Sequence, residues 1–241
     1  MKLSDIFDQL AYGELSQLAL VIDGQIVPED VNRIISQVNM GLTELHKRFM
    51  LKRKTLTLQT LDDVIRYPLL SKYAESKGAE LPYILDKADP FLDDIIEILS
   101  VHDENGRELA LNTHQAIKTD FSVPEVFTPA YNILRFADDP AIGKYTVTYK
   151  AGHPKLAKIT DVDSFDPSKV DIELPMTHLE ALLFYIASRV ITPMNGAANG
   201  SPQEGMNYAQ RFEQACMLLL QQGLDVEESR ESSRFVRNGF V

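Results

Sequence analysis

Cysteine occurs once, at position 216, and that scarcity rules out any disulfide within the chain. Cys216 falls inside a helical pattern, where a buried structural thiol is the expected role. Long apolar runs are also missing. No stretch approaches the ~20 residues of a membrane-spanning helix, so the chain reads as soluble. The start, MKLSDIFDQLAYGELSQL, is too polar and acidic for the apolar centre of a signal peptide, which predicts a protein that is not secreted. Positive charge is in deficit: 24 Lys and Arg stand against 35 Asp and Glu, a net charge of -11. A protein built to grip nucleic acid needs clustered cations against phosphate, and this balance opposes that role. The one basic run, HKRFMLKRK from His46 to Lys54, closes a helix, where cations meet the negative end of the macrodipole.

The residues of common catalytic chemistry are equally sparse. His46, His102, His114, His153 and His178 are scattered, with no second His or Cys at metal-ligand spacing. Asp161, Asp163 and Asp166 lie close together but lack the glycine and terminal glutamate of a calcium loop. Asp89, Asp93, Asp94 and Glu97 suggest a two-metal hydrolase site, yet Asp93 and Glu97 are more simply one polar face. No nucleophile elbow, Walker motif or dinucleotide glycine pattern occurs, and GAANGSP lacks the lysine that would hold a phosphate. The expectation is no catalytic residue, no metal and no cofactor.

What is present is enough apolar sequence for a sizeable core. At 27.1 kDa a compact chain removes roughly 70 to 75% of its unfolded surface from water. Leu3, Ile6, Phe7 and Leu10 recur at helical spacing, with a continuation past Gly13 through Leu15, Leu18 and Ala19. Pro28, Glu29 and Asp30 open a longer helix whose stripe is Val31, Ile34, Ile35, Val38, Leu42, Leu45 and Phe49. After Lys54 the period changes to two in KTLTLQT, a strand. A weak helical pattern covers Leu61 to Ala74. ILSVHDENGRELAL then predicts a hairpin with a type I′ turn at Asn105-Gly106, and YNILRF and KYTVTYK predict two further strands. ELPMTHLEAL restarts the helical period, with Thr177 and Glu180 in capping-box spacing. Past a Gly and Asn-rich loop, Tyr208, Phe212, Ala215 and Leu219 form a last stripe that stops at Gly223.

The predicted fold is α+β: mainly an α-helical bundle of residues 1–54 and 172–224, a β-rich insertion at 55–171, and an extended C-terminal arm at 225–241. That arm, DVEESRESSRFVRNGFV, is too polar to build a core of its own.

The segments DIELPMTHLEALLFYIASRVITPM, NYAQRFEQAC and PEDVNRIISQVNMGLTELHKRF, the last leading into KRKTLTL, resemble the head-to-tail adaptor proteins of tailed phages, especially short-tailed ones. The resemblance rests on the order and faces of helices and covers most of the chain's organisation. It implies a noncatalytic structural protein of the virion neck, made in the host cytoplasm and assembled as a ring, commonly of twelve copies, beneath the portal. Partners would be the portal protein and the nozzle or tube proteins of the tail, and DNA would pass through the channel without specific binding. Arg234, Phe235, Val236, Arg237, Phe240 and Val241 in the arm are the expected contacts with the portal or a neighbouring subunit. Rival readings are a neck completion protein of a long-tailed phage, a metal-dependent hydrolase and a cytoplasmic binding module.

Overall fold

In a computed structural model, which describes residues 1–112, 125–162, 164–194 and 202–223, the chain divides into two compact units. One comprises Met1–Leu51 with Lys155–Val241, the other Lys52–Pro154. The class is α+β, with four helices and three antiparallel sheets among the described residues. The expectation of a mainly α-helical bundle is overturned, because helices are few and strands substantial. The arm at 225–241 lies outside the described residues.

In the first unit, α1 (Leu3–Tyr12) buries Leu3, Ile6, Phe7 and Leu10, and the carboxylate of Asp5 accepts from the Lys2 N–H at its start. The helix does not continue past Gly13 as predicted. Leu15 and Leu20 still reach the core, but from successive turns that lead into a short hairpin, β1 (Val21–Ile22) and β2 (Gln25–Ile26). Next comes α2 (Pro28–Arg48), with Glu29 and Asp30 in its first turn and His46, Lys47 and Arg48 in its last, each charge suited to the helix end it occupies. Its apolar stripe packs on α3 (Leu179–Met194), which in turn packs on α4 (Pro202–Gln221). The capping box foreseen at Thr177 is absent. Met176–His178 form a 3-10 turn instead, and the Thr177 hydroxyl meets His178 Nδ1 at 3.0 Å.

The crossing of α2 and α3 is close because Gly41 has no side chain. A Cβ there would lie 2.5 Å from Leu182 Cδ1 and 3.0 Å from Tyr185 Cδ1. Leu182 is fully buried and has nowhere to go. Gly41→Ala gains about 1 kcal/mol of helix propensity, but overpacking costs about 1–3 kcal/mol, and the second effect prevails. The expected result is a lower urea midpoint with an unchanged m-value; a raised midpoint would show that α3 yields freely.

Residues 155–171, read from sequence as part of the β-rich insertion, lie in this first unit. Leu156, Ile159, Val162, Phe165 and Val170 pack against its core from an irregular strap. Two asparagines of α2 hold the strap. Asn39 donates from Nδ2 to the Leu156 carbonyl at 3.0 Å and accepts the Leu156 N–H at 2.8 Å. Asn32 does the same with Ile159, at 2.9 and 2.8 Å. Seven helical residues and three extended ones both advance ~10 Å, so the two amides match the strap's repeat. Beyond it, Lys2 and Asp171 form a bridge and an ion pair of 2.6 Å.

The second unit has its own core between two sheets. The larger runs β5 (Ile84–Leu85), β3 (Arg53–Gln59), β9 (Lys144–Ala151), β6 (Ile95–His102), and the smaller β4 (Arg66–Pro68), β8 (Ile133–Phe136), β7 (Val126–Ala130). Along β3 and β9, Leu56 opposes Val147 and Leu58 opposes Tyr145, and all four are buried. Strands β8 and β9 are consecutive but enter different sheets, so YNILRF and KYTVTYK are not one hairpin. The weak helical pattern at 61–74 resolves into β4 and a 3-10 turn at Ser71–Tyr73, where Tyr67 and Leu69 are buried. At the predicted hairpin only Gly106 takes positive φ, whereas a type I′ turn needs two such residues. The loop is pinned instead by Asp103, whose carboxylate accepts from the N–H groups of Asn105 and Arg107, both at 2.9 Å.

Candidate interaction surface

Helix α4 carries two apolar faces. One, with Phe212, Cys216 and Leu219, is buried against the rest of its unit. Burial pushes the Cys216 thiol up to about 11, which keeps it protonated and inert near neutral pH. The second face points outward: Met206 is 63% exposed, Met217 59%, Leu218 55% and Leu220 50%. From Gln214 to Leu224 the sequence holds no charge. An uncharged helix face of this kind has little to gain from water, and in monomeric proteins such patches mark places where another surface docks.

Within the basic run read from sequence, Arg48 and Lys54 are engaged in ion pairs. Arg48, at the end of α2, reaches Glu213 of α4 with two hydrogen bonds, Nη1 to Oε2 at 2.6 Å and Nη2 to Oε1 at 2.8 Å, while its Nε donates to Glu44 at 2.9 Å. The guanidinium also lies 4.8 Å from the Phe212 ring centre. This fork geometry holds the Glu213 carboxyl below the usual carboxylate range and raises Arg48. His46 is buried in the core. In the other unit, Lys54 meets Asp94 at 3.3 Å and Asp89 at 3.7 Å.

Of the carboxylates considered as metal ligands, Asp93, Asp94, Asp161 and Asp166 are each engaged within the chain. Asp93 caps the turn at Ser71, accepting its N–H at 2.6 Å and its hydroxyl. Asp94 accepts the Tyr149 hydroxyl at 3.0 Å besides pairing with Lys54. Asp161 accepts from Ser164 Oγ at 2.7 Å, Asp166 caps Ser168, and Asp163 lies outside the described residues. Among the described residues, Asp62, Asp63 and Asp139 do lie within 4.8 Å of one another, a grouping the sequence reading missed, but all three are exposed. His102 ends β6, the His153 ring meets the Pro154 carbonyl at 2.6 Å, His178 is buried edge-on to Phe49, and His114 lies outside the described residues.

Arg234, Phe235, Val236, Arg237, Phe240 and Val241, the contacts expected from sequence, also lie outside the described residues. The outward apolar face of α4 was not foreseen, although its signal is legible. Met206, Gln210, Glu213, Met217 and Leu220 repeat at alternating steps of four and three, offset from the buried stripe by about half a turn. The Asn32 and Asn39 clamps had no comparable signal. In comparisons with known proteins, no family model matches the chain and no curated protein is significantly similar to it.

Proposed function

We propose that the chain is a noncatalytic structural subunit of a phage neck, a head-to-tail adaptor that forms a ring below the portal and continues the DNA channel into the tail. The observation that supports this best is the outward face of α4. The helix that contains NYAQRFEQAC, on which the family resemblance rests in part, also presents exposed apolar side chains at Met206, Met217, Leu218 and Leu220. Net charge is consistent with the role. Twelve copies at -11 each carry about -132, a balance that disfavours adsorption of phosphates on the assembled ring. Such a protein acts by geometry, matching the portal above and the nozzle or tube below, in the virion rather than free in the host.

The reading is tested by mixing the purified protein with the portal ring of its phage and imaging any large species by electron microscopy. A ring seated on the portal is expected. Deletion of Glu227 to Val241, which removes Arg234, Phe235, Val236, Arg237, Phe240 and Val241, is expected to leave a folded protein that binds the portal poorly. A full-length chain that ignores the portal would sink the proposal, and a truncation that binds normally would remove the arm from it.

A further inference from the structure

We propose that Asn105-Gly106 is a site of spontaneous modification, at which the chain converts its own asparagine to isoaspartate, and that the carboxylate of Asp103 holds the conversion in check. The inference stands on the loop that follows β6 and not on the adaptor reading. Of the four Asn-Gly pairs in the sequence, at 105, 195, 199 and 238, this one lies within the described residues. Both of its residues are exposed, and no heavy atom of the described residues stands within 4 Å of the place a Cβ would take on Gly106. The Gly106 nitrogen is therefore uncrowded, whereas a side chain at that position would obstruct its approach to the Asn105 carboxamide.

The chemistry needs only water. The Gly106 nitrogen gives up its proton and bonds to Asn105 Cγ, the Cγ–Nδ2 bond breaks, and the amide nitrogen leaves as ammonia with that proton. A five-membered imide ring remains. Water then opens the ring at one of its two carbonyl carbons. Cleavage of the Cγ–N bond leaves aspartate, and cleavage of the original peptide bond leaves isoaspartate, whose main chain runs through Cβ and Cγ.

The fold opposes the first step. The Gly106 N–H donates to the Asp103 carbonyl at 3.0 Å, so the attacking nitrogen is already engaged. The Asp103 carboxylate accepts the N–H groups of Asn105 and Arg107, both at 2.9 Å, and Arg107 Nε at 3.3 Å. The Asp103 N–H closes the loop on the Arg107 carbonyl at 3.0 Å. The Gly106 nitrogen must leave this turn to reach Cγ, so the conversion proceeds at its intrinsic rate scaled by the fraction of time the loop is open. The product does not fit the closed loop, because isoaspartate adds one methylene to the main chain between Asp103 and Arg107. Arg107 also donates to Glu125 at 3.0 Å, and Glu125 accepts the Ala110 N–H at 3.0 Å. Conversion at Asn105 thus loosens the tie between the end of β6 and the residue that precedes β7.

The test is peptide mass spectrometry of the full chain held at mildly alkaline pH, where a peptide N–H loses its proton more readily. Three samples are followed in time: the folded wild type, the wild type unfolded in urea, and folded Asp103→Ala. The readout is the fraction of the peptide holding residue 105 that has exchanged its amide NH2 for OH and separates chromatographically as isoaspartate. The unfolded chain is expected to convert fastest, the folded wild type at least about tenfold more slowly, and Asp103→Ala is expected to recover most of that difference. Hydrogen exchange keeps the reading local: the amides of β3 and β9 are expected to hold their protection in Asp103→Ala, so the faster conversion there reports the loop and not the unfolding of its unit. Absence of isoaspartate at position 105 in the unfolded chain would remove the site. Equal rates in the folded and unfolded wild type, or an Asp103→Ala rate no higher than that of the folded wild type, would overturn the check assigned to Asp103. Portal binding is measured separately, so failure here leaves the adaptor reading standing, and the reverse.

Discussion

Asp86→Ala is expected to destabilise the second unit by about 3–5 kcal/mol, a large loss for a single substitution. Asp86 is only 4% exposed, and its carboxylate gathers three donors from two places in the chain: the Ser76 N–H at 2.8 Å, the Ser76 hydroxyl at 2.5 Å and the Phe91 N–H at 2.8 Å. It ties the 3-10 turn Glu75–Lys77 to the start of the segment leading into β6. Alanine leaves the buried Phe91 N–H without its acceptor, at about 1–3 kcal/mol, and removes two charge-assisted hydrogen bonds from Ser76, whose donors turn to water. Phe91 itself is 2% exposed and packs edge-on to Tyr149, so loosening its backbone also loosens the core. Equilibrium urea unfolding gives the magnitude, and a loss below about 1 kcal/mol would show that water replaces the carboxylate without penalty.

The same residue predicts a pH dependence. Burial opposes the charge on Asp86, but the hydrogen bonds from Phe91 and Ser76 outweigh it and hold the carboxyl below its ordinary value. A carboxyl depressed in the folded state contributes stability above its unfolded pKa of about 3.9 and loses that contribution as pH falls through the lower folded value. Asp86→Asn keeps the shape and removes the titration. Its stability is therefore expected to fall less steeply than that of the wild type below about pH 4.

What the sequence made legible follows the regularity of its patterns. The stripe of α2 survives intact because every turn of a long helix repeats the same message, and KTLTLQT and KYTVTYK survive because their alternation places Leu56, Leu58, Tyr145 and Val147 on one buried face. The strap was not legible. Leu156, Ile159, Val162 and Phe165 recur every third residue, a period of neither helix nor paired strand, and their backbone partners are side chains of α2 that sequence gives no reason to align. Placing 155–171 in the β-rich insertion therefore moved apolar residues out of the core to which they belong and made the rest of that unit look more purely helical than it is. The candidate surface was hidden for a different reason. Once Tyr208, Phe212, Ala215 and Leu219 explained α4 as a core helix, the remaining Met206, Met217 and Leu220 looked like ordinary surface, and their exposure became informative only with the other face placed.

Replacing Asn32 and Asn39 together with alanine is expected to release the strap and cost about 2–4 kcal/mol. Each asparagine supplies one donor and one acceptor to a single residue of the strap, four hydrogen bonds in all. At a net ~0.5–1.5 kcal/mol each their loss is substantial, and the N–H and C=O groups of Leu156 and Ile159 are left half-buried with no ladder to rejoin. The two sites are about 10 Å apart on α2 and share no partner, so the single losses are expected to sum to the double within a few tenths of a kcal/mol. Asn39→Asp separates the two halves of the clamp. The carboxylate still accepts the Leu156 N–H, but it faces the Leu156 carbonyl with no donor, so this substitution is expected to cost about as much as alanine or more. Hydrogen exchange supplies the spatial readout: the Leu156 and Ile159 amides are expected to lose protection in the double variant while the centre of α2 keeps its own. Unchanged exchange at both amides would mean that the burial of Leu156, Ile159 and Val162 holds the strap alone, and that the asparagines only follow a path set by packing.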